Sequence, residues 1–209
     1  WHLITTNDFL HYHNCGEAIA RGGSEERNRN IYTGSVLRSQ EGLCTAFYTA
    51  YNEDLKTEGR SVQSVMMAQG QTPDKLRTVE NFHLVADDDI YEPFDWRDPF
   101  VFYSAEDHSY YMLLAARLRG SGERRGGCIA LCKSLDLKTW ITCKPFYAPN
   151  LYITMECPEV FQMGDWWYLV FSTFSDRFTT HYRKAKSLHG PWLIPADDVF
   201  DGRANYAIK

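Results

Sequence analysis

The stretch Asp98-Pro99-Phe100-Val101-Phe102 begins the pattern that decides the fold of this chain. A polar turn, Glu106-Asp107-His108, follows it, and then an apolar and aromatic run, Tyr110-Tyr111-Met112-Leu113-Leu114. Because aromatic and β-branched residues favour strands while Gly, Asp and Asn favour turns, this order predicts two strands joined by a turn. Further copies lie at Cys157-Pro158-Glu159-Val160-Phe161 with 164–165 and 166–171, and more loosely at 34–37, 40–42 and 44–48.

A second repeat interleaves with the first. Thr6-Asn7-Asp8-Phe9-Leu10-His11-Tyr12 and Ser134-Leu135-Asp136-Leu137-Lys138-Thr139-Trp140 share a hydroxyl, then Asp, then an apolar residue and an aromatic one. Weaker copies lie at 72–76 and 187–192. Between the two repeats we expect a third apolar strand in each unit, at 62–68, 128–133 and 182–185.

Together the repeats predict an all-β fold. Four strands in roughly 50–60 residues, repeated along the chain, are typical of β-propeller blades. We therefore expect residues 1–209 to form a single domain, a five-bladed β-propeller of four-stranded blades that is incomplete at both ends. The expected blades are 30–92, 94–150 and 152–198, with partial blades at 1–24 and 200–209. An unrelated β-sandwich is the alternative.

The composition excludes several classes of protein. With 44% hydrophobic and 23% charged residues the chain is typical of globular proteins and not of disordered ones. A formal net charge of −5 leaves no basic surplus for phosphates, so we expect no nucleic-acid partner and no membrane partner. The longest apolar stretch, 110–116, is far shorter than the ~20 residues that span a bilayer. The aromatic content of 15% is typical of β-rich chains and of sugar-binding clefts.

The six cysteines show neither a Cys-x-x-Cys motif nor the Cys/His spacing of a zinc site. We expect buried free thiols rather than disulfides, with no metal and no cofactor. Free thiols favour a reducing, cytoplasmic compartment, and a secreted protein stays open as the alternative.

Candidate catalytic residues lie at the beginning of the first strand of successive blades. In a propeller these strand ends point at the central cavity, where the chemistry of the blades converges. Asp98 and Glu156 lead two successive blades in equivalent places, and Arg97 precedes Asp98. Two carboxylates that face one cavity suit glycoside hydrolysis, in which a raised pKa of one acid allows it to donate a proton. In the alternative reading both acids merely begin strands and are solvated.

These residues resemble glycoside hydrolase family 32, the invertases, fructanases and levanases with a five-bladed propeller. Arg97-Asp98-Pro99 is similar to the Arg-Asp-Pro motif of the family, and Glu156-Cys157-Pro158 to its Glu-Cys-Pro motif. Three further stretches match the family in its own order along the chain: 31–36, 6–12 with the preceding Trp1, and 201–207.

The resemblance implies a retaining glycosidase that acts on fructosyl linkages of the sucrose or fructan type, with a disaccharide or oligosaccharide as substrate. Glu156 would be the general acid/base. Asp98 would bind two sugar hydroxyls and stabilise the transition state, with Arg97 as its neighbour and ring clamp. The residues implied to line the sugar subsite are Arg97, Tyr32, Thr33, Cys157, Tyr206 and Trp1.

The chain also departs from the family pattern. The nucleophile of the family is an Asp in a Trp-x-Asn-Asp-Pro-Asn-Gly motif, which is absent here and is expected before Trp1. Asp8 is the alternative nucleophile, although it already fits the Asp position of the turn repeat. Leu3 stands where the family has a His. The departures imply either a partial chain, inactive alone, or a member without hydrolytic capacity.

Two other functions stay open. One is a glycosidase similar to family 43, an arabinosidase or xylosidase, against which Arg97 and Cys157 argue. The other is a propeller that binds carbohydrate without catalysis.

Overall fold

The structure is a computed structural model that describes residues 1–175 and 178–199. It is built from strands, as expected of an all-β protein, with two short 3₁₀ turns at Arg27–Arg29 and Glu53–Glu58. No helix among the described residues is long and apolar enough to cross a membrane. The strands are β1 His2–Thr6, β2 Tyr12–Glu17, β3 Asn30–Arg38, β4 Cys44–Tyr51, β5 Gln63–Gly70, β6 Arg77–Leu84, β7 Tyr91–Ser104, β8 Ser109–Leu118, β9 Gly127–Ser134, β10 Ile141–Thr142, β11 Thr154–Met163, β12 Trp166–Phe174 and β13 Phe178–Ala185.

The strands form four antiparallel sheets in chain order. The first sheet is β1-β2, the second β3-β4-β5-β6, the third β7-β8-β9-β10 and the fourth β11-β12-β13. Each strand pairs with its neighbour in sequence, so the sheets are simple meanders joined by turns. The predicted third strands are confirmed as β5, β9 and β13.

The expected four strands are found in the second and third sheets, but the fourth sheet has three named strands within the described residues. Beyond β13 the pairing is reduced to isolated bridges, Lys184 with Leu193 and His181 with Val199. The predicted fifth unit, 200–209, lies outside the described residues, and the blade boundaries stay a prediction.

Apolar cores lie between successive sheets. One core joins Phe47 and Val65 of the second sheet to Met112 and Leu114 of the third. The next core begins on the opposite face of β8, where Tyr111 and Leu113 pack with residues of the fourth sheet such as Leu169. Since alternate side chains of β8 enter different cores, both of its faces are buried. This explains why its sequence is continuously apolar rather than alternating.

The Asp-bearing turns repeat in three dimensions as well as in sequence. In the first, Thr6 Oγ1 accepts from the backbone N–H of Phe9 at 2.9 Å, and Asp8 Oδ1 accepts from that of His11 at 2.8 Å. In the second, Ser134 and Asp136 accept in the same way from Leu137 at 2.9 Å and Thr139 at 2.7 Å. Phe9 and Leu137 both have positive φ, 58° and 63°.

All six cysteines are free, and Cys44, Cys128 and Cys132 are buried. The expectation of buried thiols is wrong for Cys15, which is exposed because it lies on β2, where the burial pattern is almost entirely exposed. Cys143 and Cys157 are half-buried.

Candidate active site

The first strand of the second, third and fourth sheets carries an irregularity at the same place. The antiparallel register shifts between Ile31 and Gly34 in β3, between Arg97 and Phe100 in β7, and between Glu156 and Glu159 in β11. A β-bulge of this kind re-aims side chains and is common beside active sites. The three shifts coincide with the three motifs that the sequence singles out.

The bulges correct one prediction from the sequence. Asp98 and Cys157 are the equivalent residues, since each precedes a proline and has a positive φ, 58° and 48°. Glu156 is therefore equivalent to Arg97, the last paired residue before the bulge, and not to Asp98. The two acids are one position out of register, because Asp98 directly precedes its proline whereas Cys157 lies between Glu156 and Pro158.

Hydrogen bonds tie these first strands to one another. Ser35 of β3 donates its hydroxyl to the Pro99 carbonyl at 2.9 Å and accepts from the Val101 N–H at 2.9 Å. The backbone N–H of Cys157 on β11 donates to Asp98 Oδ2 at 3.0 Å. The three motif-bearing strands therefore meet at one place.

Arg97 lies at the centre of this meeting point. Its Nη2 donates to Glu156 Oε1 at 2.8 Å and its Nη1 to Asp95 Oδ1 at 2.7 Å, while its Nε is 3.9 Å from Asp98 Oδ2. We call Asp95, Arg97, Asp98 and Glu156 the Arg97 cluster. Burial alone would lower the pKa of Arg97, but the hydrogen bonds and charges of the three carboxylates outweigh it, so this pKa lies above its usual value. The guanidinium stays charged and holds both predicted catalytic acids.

Asp98 is almost entirely buried, with 5% of its surface exposed. Its backbone N–H donates to Thr49 Oγ1 at 2.7 Å, and the Thr49 hydroxyl donates in turn to the Thr33 carbonyl at 2.9 Å. Its Oδ2 accepts from the Cys157 N–H, and the Cys157 thiol is 3.6 Å away. Within the described residues Oδ1 of Asp98 accepts no hydrogen bond, so one carboxylate oxygen is anchored and the other is available.

Glu156 is arranged similarly, although it is more open. Its Oε1 is bound by Arg97, and about a quarter of its side chain, 27%, is exposed. Among the described residues its Oε2 has no hydrogen-bond partner. Both acids therefore present one unoccupied oxygen beside a shared cation, which is an arrangement that can bind hydroxyl groups and exchange protons.

Three of the other predicted subsite residues have contacts within the described part of the chain. Thr33 approaches it, with its hydroxyl 4.0 Å from the Cys157 sulfur. Tyr32 is half-exposed and its ring packs against Tyr51, at 5.7 Å between centroids. Trp1 contacts the same segment through its indole N–H, which donates to the Tyr32 carbonyl at 2.9 Å. Tyr206 and the predicted segment 201–207 lie outside the described residues.

Asp8, the alternative nucleophile, belongs to a surface turn. Its Oδ2 lies 2.7 Å from His11 Nδ1, and its Oδ1 accepts from the backbone N–H groups of Leu10 and His11. The hydrogen bond from the His11 side chain, followed by these backbone bonds, lowers the pKa of Asp8 to about 2. Within the described residues Asp8 makes no contact with the Arg97 cluster.

Sequence reasoning missed three residues of the site. Asp95 lies two positions before Arg97 on the same strand, so a period of two along β7 could have revealed it. Thr49 and Gln63 come from the second sheet, where Gln63 Oε1 accepts from the Trp96 N–H at 3.1 Å and lies 3.4 Å from Arg97 Nη1. No local pattern marks either residue. In the described part of the chain no group of three or more His, Cys, Asp or Glu side chains could hold a metal ion.

Residues 1–189 match the N-terminal domain of glycosyl hydrolases family 32. The chain belongs to this family. The resemblance carried by the Arg-Asp-Pro and Glu-Cys-Pro motifs is thereby confirmed. A curated relative, the sucrose-6-phosphate hydrolase of Vibrio alginolyticus, is 25% identical over 174 residues that cover 82% of this chain and 33% of that protein. The chain thus spans about a third of the length of that relative.

Two solved structures show the same fold at low sequence identity. The fructofuranosidase from Schwanniomyces occidentalis complexed with fructose has a TM-score of 0.69 at 17% identity, over 95% of this chain and 40% of that one. The inulosucrase from Halalkalicoccus jeotgali bound to kestose has a TM-score of 0.66 at 20% identity, over 88% and 54%. The four sheets of this chain therefore correspond to part of such a fold.

Proposed function

We propose that the complete protein is a retaining glycoside hydrolase that acts on fructosyl linkages, on a five-bladed propeller to which this chain contributes. The observation that carries the proposal is the shared guanidinium of Arg97, which holds Glu156 at 2.8 Å and has Asp98 at 3.9 Å. Membership of family 32 supports the reaction class. The curated relatives are named sucrose-6-phosphate hydrolases, so sucrose and its 6-phosphate are the first substrates to test.

Glu156 is assigned as the general acid and base. It is the more exposed of the two acids, and its free Oε2 can reach a substrate while Arg97 fixes Oε1. In the first step this carboxyl protonates the oxygen of the leaving group. In the second step it takes a proton from the water that attacks the fructosyl-enzyme, as the retaining mechanism requires.

Asp98 is assigned to binding and transition-state stabilisation. Its carboxylate is buried and held by the Cys157 N–H, so it is preorganised and costs little to orient when substrate binds. The free Oδ1 can accept from sugar hydroxyls, and the negative charge favours an oxocarbenium-like transition state. Arg97 clamps the ring, and the wall of the subsite is assigned to Tyr32, Thr33, Cys157, Tyr206 and Trp1.

The nucleophile is assigned to a carboxylate that precedes Trp1 in the complete protein. Asp8 is held by hydrogen bonds within its surface turn, and Asp98 and Glu156 are assigned other roles. The remaining acid of the Arg97 cluster, Asp95, is bound by Arg97. The length of the relatives, of which this chain covers 33–34%, leaves room for such a segment. Glu156 then serves both steps of the reaction, as acid when the covalent fructosyl intermediate forms and as base when water hydrolyses it.

The test compares the complete wild-type protein with Glu156→Gln, using Glu159→Gln as a matched control three residues along the same strand. Substrates are sucrose, sucrose 6-phosphate, inulin, levan and a synthetic fructoside whose leaving group has a low pKa. We expect Glu156→Gln to lower kcat by about 10²–10⁴-fold on the natural sugars, since this is what general acid–base help contributes. The synthetic fructoside, which needs little protonation, should lose least in the glycosylation step.

Two results would contradict the assignment. Near-wild-type turnover by Glu156→Gln would place the proton donor elsewhere. A wild-type protein that binds these sugars in calorimetry but hydrolyses none would favour the carbohydrate-binding propeller.

A further inference from the structure

Arg117 is a buried arginine that the proposed mechanism does not use. It is 7% exposed and lies near the end of β8, in a strand whose other buried residues are mainly apolar. A buried charge is costly unless it is paired and hydrogen-bonded, so its partners indicate why it is there.

The partners of Arg117 lie on β7 and in the segment that precedes β11. Its Nε donates to Glu92 Oε2 at 2.9 Å and lies 3.9 Å from Asp95 Oδ2, and both of these acids belong to β7. Its Nη1 donates to the backbone carbonyl of Ile153, the residue before β11. The side chain therefore connects the strand of Arg97 to the chain segment that leads, three residues later, to Glu156.

Two glycines leave room for this connection. A Cβ at Gly126 would lie 3.0 Å from Arg117 Nη2, and a Cβ at Gly127 would lie 2.9 Å from the Ile153 carbonyl. The N–H of Gly127 also donates to the Tyr152 carbonyl at 2.9 Å. The approach of β9 to the segment before β11 is close enough that side chains at these two positions would disturb it.

Asp95 joins this arginine to the Arg97 cluster. Its Oδ1 accepts from Arg97 at 2.7 Å and its Oδ2 faces Arg117 at 3.9 Å. A continuous chain of charged groups thus runs from Arg117 through Asp95 and Arg97 to Glu156. Arg117 contacts Asp95 within this chain of charges, and it also binds the backbone carbonyl of Ile153, three residues before Glu156.

We infer that Arg117 is a positioning residue that fixes Arg97 and Glu156 relative to each other in the proposed fructoside hydrolysis. The inference rests on the proposed function, because it assigns Arg117 a place in that reaction. Arg117 itself touches no reacting atom. It orients the residues that do, and it balances the charge of the acids between them.

Loss of the Arg117 charge should shift the pH dependence of activity. Loss of a residue with a purely structural role should not. Arg117 faces Glu92 and Asp95 on β7 and Cys128 on β9, whose pKa is raised to about 12 mainly by burial, so this thiol stays neutral at working pH. Glu156 faces Arg97 on β7, and the same guanidinium lies 3.9 Å from Asp98 Oδ2. Removing the Arg117 charge leaves Glu92 and Asp95 with less compensation, and uncompensated negative charge disfavours the ionisation of nearby carboxyls.

The experiment uses the complete protein with Arg117→Met, Arg117→Lys and Glu92→Gln, and measures kcat and KM across pH on the best fructoside substrate. We expect Arg117→Met to lower kcat by roughly 10²-fold, as misplacement of a catalytic group by about 1 Å does, with a smaller change in KM. Both limbs of its pH profile should move to higher pH by roughly half a unit. Arg117→Lys keeps the charge, so it should restore the pH limbs without restoring all of kcat.

Glu92→Gln provides a second, opposite test that does not need Arg117→Met to fold. It removes the nearest counter-charge of Arg117, so both pH limbs should move to lower pH. The control for lost stability is Leu114→Ala, a buried position on the same strand, which should lower the unfolding midpoint and leave the pH limbs in place.

The inference would be overturned if Arg117→Met kept the pH limbs and the kcat of wild type. It would also be overturned if the pH limbs of Glu92→Gln did not move, or if those of Leu114→Ala moved in the same way as those of Arg117→Met. A complete wild-type protein that hydrolyses no fructoside overturns the proposed function itself, and this outcome is distinct because it does not depend on any Arg117 variant.

Discussion

Arg97 donates from Nη2 to Oε1 of Glu156 at 2.8 Å, across 59 positions of sequence and from one sheet to the next. The bond joins the two motifs that mark family 32 in this chain. Because Asp95 binds the same guanidinium and Asp98 lies beside it, three carboxylates share the positive charge of Arg97. A change at Arg97 should therefore affect both the stability of the folded protein and the activity of the site.

The first prediction concerns the geometry of this guanidinium. Arg97→Lys keeps a positive charge but cannot hold Asp95 and Glu156 with two nitrogens of one planar group. We expect kcat/KM on a fructoside to fall by roughly 10²-fold in the complete protein, with the fold retained. Arg97→Met should instead destabilise the protein by about 3–5 kcal/mol, because it leaves buried acids without their partner. Urea denaturation and steady-state kinetics separate the two effects, and a fully active Arg97→Lys would contradict the argument.

The second prediction tests the burial of both faces of β8. Leu113 and Leu114 are adjacent, both fully buried, and belong to different cores. We expect Leu113→Ala and Leu114→Ala each to lower the free energy of unfolding by about 2–5 kcal/mol. In a sheet with one solvated face, one of the two would be nearly neutral. Ile141→Ala, at an exposed position of β10, is the control and should change stability little.

The third prediction concerns the close approach of β3 to β4. A Cβ at Gly34 would lie 2.1 Å from the Phe47 carbonyl oxygen and 2.9 Å from the Trp1 ring. We expect Gly34→Ala to destabilise the protein by about 1–3 kcal/mol, since the backbone cannot yield as a flexible side chain can. Gly23→Ala is the matched control, because a Cβ there meets nothing within 4 Å. Equal unfolding midpoints for the two variants would show that the second sheet relaxes around the added methyl group.

Much of this arrangement could be predicted from the sequence, because its determinants are local. Alternation, turn residues and the interleaved repeats predict the strands, and the Arg-Asp-Pro and Glu-Cys-Pro motifs predict which strand ends meet. The repeated hydroxyl-x-Asp turn needs only neighbouring residues, so its sequence pattern is sufficient to identify it.

The partners of the site could not be predicted, because they depend on contacts between sheets. Thr49 reaches the Asp98 N–H across 49 positions, and Arg117 reaches Ile153 across 36. The relative register of Asp98 and Glu156 is set by the pairing of each strand with its neighbour, in which Arg97 and Glu156 are the last paired residues before a bulge. Asp98 and Cys157 follow them in the left-handed region, and neither is a glycine, so residue type does not mark the positive φ there. Backbone strain of this kind is common at functional sites, where the surrounding structure holds it in place.

The last prediction concerns the pH dependence contributed by Asp8. Its pKa in the folded protein is about 2, below the ordinary value of 3.8, because the His11 side chain and the backbone N–H groups of His11 and Leu10 bind the carboxylate. A group whose folded pKa is depressed adds stability above its unfolded pKa, and this contribution is lost as the pH falls through the folded value. We therefore expect the urea midpoint of wild type to exceed that of Asp8→Asn at pH 6, and the difference to shrink between about pH 4 and pH 2. Asp136→Asn, in the matching turn where backbone N–H groups also lower the pKa of the carboxyl, should show the same trend. Asp8→Asn in the complete protein should keep wild-type turnover, whereas loss of activity together with a pH-independent midpoint would make Asp8 a catalytic acid rather than the residue that closes this turn.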